Sequence, residues 1–257
     1  MQTVTCLTAT TPMLDFEVPA IAALIEERGW ASLPQTDRIG AIYDFVRDDI
    51  LFGYNRADDV SASDVLRDGF GQCNTKATLL MALLRGVGVP CRLHGFTIHK
   101  TLQRGVVPEA VYPWAPAEIL HSWVEVELDG DWLNLEGFIL DSPYLQAIRA
   151  AFPDQDNLCG YGVGTDRLGA PQVRWTGKDT YIQKTGIARD LGTFASPDDF
   201  FENRKQAIGR FKEMLYRHAI RYWMNARVRK IRNGDVPPVP GLGAKRKVLR
   251  KEHGHAA

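Results

Sequence analysis

The sequence predicts an α+β fold in which a helical part packs against an antiparallel sheet. Three observations carry this. Residues 15–56 read as mostly helical. Asp68-Gly69-Phe70-Gly71 forms a turn that leads into Cys73, and Ala77, Leu80, Met81 and Leu84 follow at helical spacing. His121 to Leu128 alternates apolar and polar residues, and Asp129-Gly130 is a two-residue hairpin turn that sends Asp131 to Phe138 back beside it.

The elements follow in chain order. Between Asp37 and Asp49, Ile39, Ile42, Tyr43 and Val46 form one stripe, with Thr36 as the expected N-cap. Residues 57–70 read as a polar connection. The cysteine helix is expected over about 73–86, ended by Gly86 and Gly88. Val89-Pro90-Cys91 leads into a strand from Arg92 to Ile98. Residues 99–118 hold Pro108, Pro113 and Pro116 and read as a long irregular loop, a place where a substrate cleft is shaped. In the hairpin, paired positions sum to 259, so His121 lies opposite Phe138 and Trp123 opposite Glu136. His121 and Glu136 are then diagonal neighbours on one face, within side-chain reach. Residues 139–196 are rich in Gly, Pro and Asp and read as loops with short strands. Ser196-Pro197-Asp198-Asp199 starts a helix expected to run to Arg232. Residues 233–257 read as disordered and hold a basic cluster at Lys245-Arg246-Lys247. The expected organisation is a domain over 1–197, a basic amphipathic helix over 198–232, and a basic tail over 233–257.

Composition narrows the function. The 257 residues are 45% hydrophobic and contain no apolar run long enough to span a bilayer. The N-terminus shows no secretory signal pattern, so a cytoplasmic location is expected. Cys6, Cys73, Cys91 and Cys159 have no paired spacing and are expected to be free thiols. Residues 1–202 carry 16 Lys+Arg against 28 Asp+Glu, and residues 203–257 carry 15 against 3. An acidic body with a basic C-terminal segment is the consequence. Ile208, Phe211, Leu215, Ala219, Tyr222 and Ala226 make an apolar stripe in that segment, with Trp223 and Met224 nearby. The stripe suits packing on the body. An anionic membrane surface or an acidic partner is the alternative for residues 203–257, and nucleic acid ranks last for want of a base-reading motif.

The chemistry centres on Cys73. A thiol in the first turn of a helix faces unpaired N–H groups and the positive end of the helix dipole, which favour the nucleophilic thiolate. His121 is the candidate base and Glu136 the carboxylate that orients it. The Cys73 N–H is the candidate oxyanion donor. Gln72 and Trp123 are expected beside the substrate cleft. No metal or organic cofactor is called for, and the histidines show no metal spacing. His94 and His99 flank a strand and rank below His121 as bases; Cys91 reads as core.

These residues resemble a known family. Gly71-Gln72-Cys73, Lys76-Ala77-Thr78-Leu79-Leu80, the run from Leu84 to Arg92, His121-Ser122-Trp123-Val124-Glu125-Val126 and Asp129-Gly130-Asp131-Trp132-Leu133 are similar to motifs of the bacterial transglutaminase-like superfamily. The resemblance covers about 35–142. It implies a papain-like fold, Cys73 as nucleophile and His121 as base. The family's third residue is usually Asp, fifteen positions after the histidine; here Glu136 stands there, one methylene longer, with Asp141 a lesser substitute. Asn74 stands where animal transglutaminases carry Trp, which argues against an animal-type protein-crosslinking enzyme. The resemblance implies a cysteine-dependent peptidase, amidase or acyltransferase acting on a peptide, amide or other acyl substrate. A non-catalytic peptide-binding module and a scaffold acting through the basic tail are the other readings.

Overall fold

The computed structural model describes residues 7–202, 204, 209–239, 241 and 242. In chain order these form α1 (Pro19–Arg28), α2 (Gln35–Asp48), β1 (Leu51–Phe52), α3 (Ala62–Asp68), β2 (Phe70–Gly71), α4 (Cys73–Gly86), β3 (Cys91–His99), β4 (Glu118–Leu128), β5 (Asp131–Leu135), α5 (Ser142–Ala151), β6 (Leu158–Gly160), β7 (Val163–Thr165), β8 (Ile187–Phe194), α6 (Pro197–Glu202), α7 (Arg210–Leu215) and α8 (Arg221–Arg232). Short single-turn helices interrupt the β3–β4 connection. The fold is α+β, with a four-stranded antiparallel sheet in the order β5-β4-β3-β8.

Helix α4 is the centre of the molecule. Every residue from Cys73 to Arg85 is buried, as expected of a helix enclosed on all sides. Its N-terminus is fixed from both directions. Gly69 ends α3 at φ 70°, a conformation that costs glycine little. Gly71 has no room for a side chain, since a Cβ there would lie 2.7 Å from Thr75 Oγ1 and 2.9 Å from Lys76 Cγ. Gln72 then caps the helix, its Oε1 accepting from the Asn74 N–H at 2.7 Å.

The hairpin register is as the turn dictates. Val124 pairs with Leu135 and Leu128 with Asp131. The ladder stops at Leu135, however, so Glu136 and Phe138 do not pair with Trp123 and His121. The chain leaves the sheet there because the Glu136 N–H is taken by Thr180 O at 3.1 Å.

Other expectations need correction. Helix α2 begins at Gln35 behind Pro34, so Thr36 lies inside it and caps nothing. The polar connection 57–70 contains α3, started by Ser61 Oγ on the Asp64 N–H. The loop-like stretch 139–196 contains α5, started by Asp141, and the eight-residue strand β8. The helix expected over 198–232 is not continuous: α6 ends at Glu202, Arg204 is not helical, and Gly209 caps a new start at α7. From there the chain stays helical through one wider π turn into α8. The side packed on the body is also different. Met224, Val228 and Ile231 are buried, whereas Leu215 and Tyr222 of the expected stripe are 43% and 54% exposed. Nor is the start of the tail disordered. Val239 is buried, and Pro237 O accepts from Tyr161 Oη at 2.6 Å. Prolines hold this segment extended at low entropic cost. Lys245-Arg246-Lys247 and Cys6 lie outside the described residues; Cys73, Cys91 and Cys159 are free.

Asp141 and Lys76 are buried ionisable groups. Arg232 donates to both carboxylate oxygens of Asp141, at 2.9 and 2.7 Å, tying α8 to the start of α5. Lys76 is fully buried, its Nζ donating to Arg47 O and Ile139 O at 3.1 Å each. Burial pulls its pKa down to about 7, partly opposed by Asp141 and Asp48. The unfolded chain therefore binds more protons than the folded one between about 7 and the ordinary value of 10.5. Lys76 thus adds a rise in stability as pH increases through that window, and a constant penalty below it. The expected result for Lys76→Met is loss of that rise, seen as a smaller difference between urea midpoints at pH 7 and pH 9 than in wild type.

Candidate active site

Three sequence-distant side chains meet at the end of α4. Glu136 Oε1 lies 3.1 Å from His121 Nε2, and both side chains have no exposure. The second carboxylate oxygen, Oε2, accepts from the Ile182 and Gln183 N–H groups at 2.9 and 3.0 Å. Glu136 is thus anchored by main chain on one side and offers a fixed acceptor on the other. An acceptor at Nε2 requires a proton on Nε2, which leaves Nδ1 as the basic nitrogen of the neutral ring. Nδ1 is buried and has no hydrogen-bond partner.

Cys73 is the group that acts on this ring. Burial of His121 opposes its charge, but the Cys73 sulfur beside it and the bond to Glu136 outweigh that and raise the imidazole to about 9. The thiol donates to Gln72 Oε1 at 3.0 Å, with Asn74 Oδ1 at 3.7 Å.

Asn74 sets the spacing between helix and strand. Its Nδ2 donates to Leu120 O at 3.2 Å, and its Oδ1 accepts from Ser122 Oγ at 3.0 Å. These two contacts flank His121 on β4. The sequence reading treated Asn74 only as a missing Trp; its signal was a poor helix former in a first turn. In Asn74→Ala the Cys73–His121 spacing loosens. The expected outcome is a roughly 10- to 100-fold fall in kcat from misplacement by about 1 Å, with the fold retained by circular dichroism.

Asp58 was also missed, because it lies in the polar connection. Its carboxylate accepts from Gln72 Nε2 and so directs the Gln72 oxygen toward the cap and the thiol. Burial raises Asp58 to about 6, against the lowering bond from Asn74.

The remaining candidates fall in different places. Gln72 lines the cleft that opens at Cys73, as do Gln103, Val107, Val111 and Trp114 from the β3–β4 connection. Trp123 does not line it. Its ring packs on Phe96 at 4.0 Å between centroids, and its Nε1 donates to Asn134 Oδ1. It shares the His121 face by the two-residue period of the strand and packs edge-on to that ring at 6.3 Å. His94 is held between Glu125 and Asp190 at 2.6 and 2.9 Å, and these carboxylates raise it despite burial, so it joins β4 to β8 and is no free base. Asp141 is committed to Arg232 and the α5 cap, which leaves Glu136 as the carboxylate on His121. Cys91 is buried in the core, and burial lifts its thiol to about 11. Among the described residues no cluster of His, Cys, Asp or Glu suits a metal ion, and no helix is long and apolar enough to cross a membrane.

Residues 25–137 match the family model described as the transglutaminase-like superfamily, a span that opens within α1 and closes one residue after Glu136. No curated protein sequence matches the chain. A solved structure described as "Putative Cysteine Protease from Cytophaga hutchinsonii" is similar over 76% of this chain and 48% of that one, at 14% identity and a TM-score of 0.43. This chain therefore spans about half the length of that protein. The 25–137 segment of the chain is therefore similar to the transglutaminase-like superfamily.

Proposed function

We propose that the protein is a cysteine-dependent enzyme that cleaves or transfers at an amide or related acyl bond. Cys73 is the nucleophile, His121 the general base and then acid, and Glu136 the residue that orients His121. The similarity of residues 25–137 to the transglutaminase-like superfamily supports cysteine-dependent chemistry at the coarse level. The observation that carries the finer reading is the buried His121–Glu136 pair, which leaves Nδ1 unpartnered beside a thiol at a helix start.

In this reading the S–H proton moves to His121 Nδ1 and the sulfur attacks the substrate carbonyl. The Cys73 N–H, in the first turn of α4 where N–H groups lack intrahelical partners, donates to the developing oxyanion. His121 returns the proton to the leaving amine, and a thioester on Cys73 remains. Water or a second amine then attacks that thioester, with His121 again taking the proton.

The test is intact-mass spectrometry of the protein mixed with an activated acyl ester, with and without a primary amine. The reading expects an acyl adduct on Cys73 that decays in water and faster with amine. Decay quickened by amine assigns transfer; decay indifferent to amine assigns hydrolysis. No adduct on Cys73 under conditions that acylate N-acetylcysteine overturns the proposal.

A further inference from the structure

The geometry points to a substrate class: we propose that the cleft at Cys73 selects an acyl donor whose acyl part carries an extended apolar group. This rests on the acyl-enzyme reading above. The cleft has a volume of about 650 Å³. Two segments far apart in sequence wall it. The β3–β4 connection and the first residues of β4 contribute Val107, Val111 and Ile119; the C-terminal helical segment contributes Leu215, Ile220 and Met224. Lys212 Nζ donates to Trp114 O at 3.4 Å and joins the two walls. The segment read from the sequence as a basic amphipathic helix is therefore, on this proposal, one wall of the substrate site.

The lining is chemically one-sided. Its charged members are Arg56, Arg204 and Lys212 against Asp58, Asp59 and Glu213, equal in number and opposite in sign. Arg56 is in addition paired with Asp64. The cleft thus carries no formal excess of one charge with which to select a charged substrate. The remaining wall is largely aliphatic and aromatic, and Trp114 and Leu215 stay 70% and 43% exposed within it. Large apolar groups left in water beside a reactive thiol gain by covering with an apolar ligand. A fatty acyl chain and the apolar side chains of a peptide share this chemistry.

Acylation rates at Cys73 test it, measured on the full chain by intact mass with p-nitrophenyl acetate, octanoate and N-acetyl-phenylalaninate. Each rate is divided by that of N-acetylcysteine with the same ester. Full burial of a methylene is worth about a fourfold gain, so the octanoate or phenylalanine ester is expected to exceed acetate by tenfold or more. Whichever of the two gains more identifies a lipid-like or a peptide-like source. Leu215→Glu and Trp114→Ala, both at exposed positions, are expected to remove most of that gain. Equal corrected rates for all three esters overturn the proposal while leaving the acyl-enzyme reading intact. A gain that both variants retain overturns it as well, because selectivity then arises outside this cleft. Cys73 reacting no faster than N-acetylcysteine with any ester overturns the acyl-enzyme reading, and this inference with it.

Discussion

In Cys73→Ala, turnover of any acyl substrate is expected to fall by at least about 10⁴-fold, with no covalent adduct at position 73 or at the other described thiols. Neither of the other described thiols can take over. Cys91 is enclosed in the core with a raised pKa, and Cys159 lies against Thr101, away from the cleft lining. His121 cannot substitute as nucleophile because it has no exposure. The fold is expected to survive, since the substitution removes only one sulfur from a residue that is 7% exposed. The check is steady-state kinetics together with intact mass after incubation with substrate. Retained turnover in Cys73→Ala would move the chemistry elsewhere.

Glu136→Gln is expected to be almost as damaging, for a reason specific to this site. The carboxylate uses one oxygen to accept from His121 Nε2 and the other to accept from two main-chain N–H groups. An amide has only one oxygen. If that oxygen keeps the Ile182 and Gln183 bonds, the NH₂ points at Nε2, which must then be unprotonated. The proton moves to Nδ1, and the nitrogen beside Cys73 can no longer accept. If the amide turns the other way, its NH₂ meets two N–H donors in a dry interior and leaves them unsatisfied. The first orientation loses the working tautomer; the second keeps it but loses the main-chain anchor that holds the side chain on His121. A kcat reduction of about 10³- to 10⁴-fold follows, larger than removal of the negative charge in water would give. Glu136→Asp keeps two acceptor oxygens but falls one methylene short, so it is expected to lose less. An unchanged kcat in Glu136→Gln would remove Glu136 from the mechanism.

The parts of this molecule legible in its sequence are those set by local rules. The Asp129-Gly130 turn dictates the hairpin register as far as Leu135, which brings Glu136 to the end of the ladder near His121, while the contact itself is made after the chain has left the sheet. The Gly71 turn and the apolar spacing behind Cys73 give helix α4 its bounds at both ends. What was not legible depends on long-range contacts. Strand β8 shows little burial contrast along its length and is a strand because β3 offers it an edge. The Ile182 and Gln183 N–H groups that anchor Glu136 belong to main chain and leave no side-chain signature. Asn74 and Asp58 are ordinary polar residues whose roles exist only once α4 meets β4 and the 57–70 connection. The C-terminal helices misled in a different way. Their composition announced an amphipathic stripe, but the buried side runs through Met224, Val228 and Ile231, and Leu215 instead borders the cleft. Several apolar residues compete for the inward side of such a helix, and the shape of the body decides among them.

The account stands or falls on whether Cys73 and His121 act as a pair. The direct measurement is the rate of iodoacetamide labelling at Cys73 from pH 5 to 9, read by peptide mass spectrometry, in wild type, His121→Ala and Glu136→Gln. An imidazole raised to about 9 by its neighbours stays protonated through most of this range and sets a positive charge beside the Cys73 sulfur. The expected result is rapid wild-type labelling at pH 6, far below the ordinary thiol value of about 8.5. Labelling at that pH should drop sharply in His121→Ala and shift in Glu136→Gln. A wild-type rate that follows an ordinary thiol titration, and that neither substitution alters, would contradict the account.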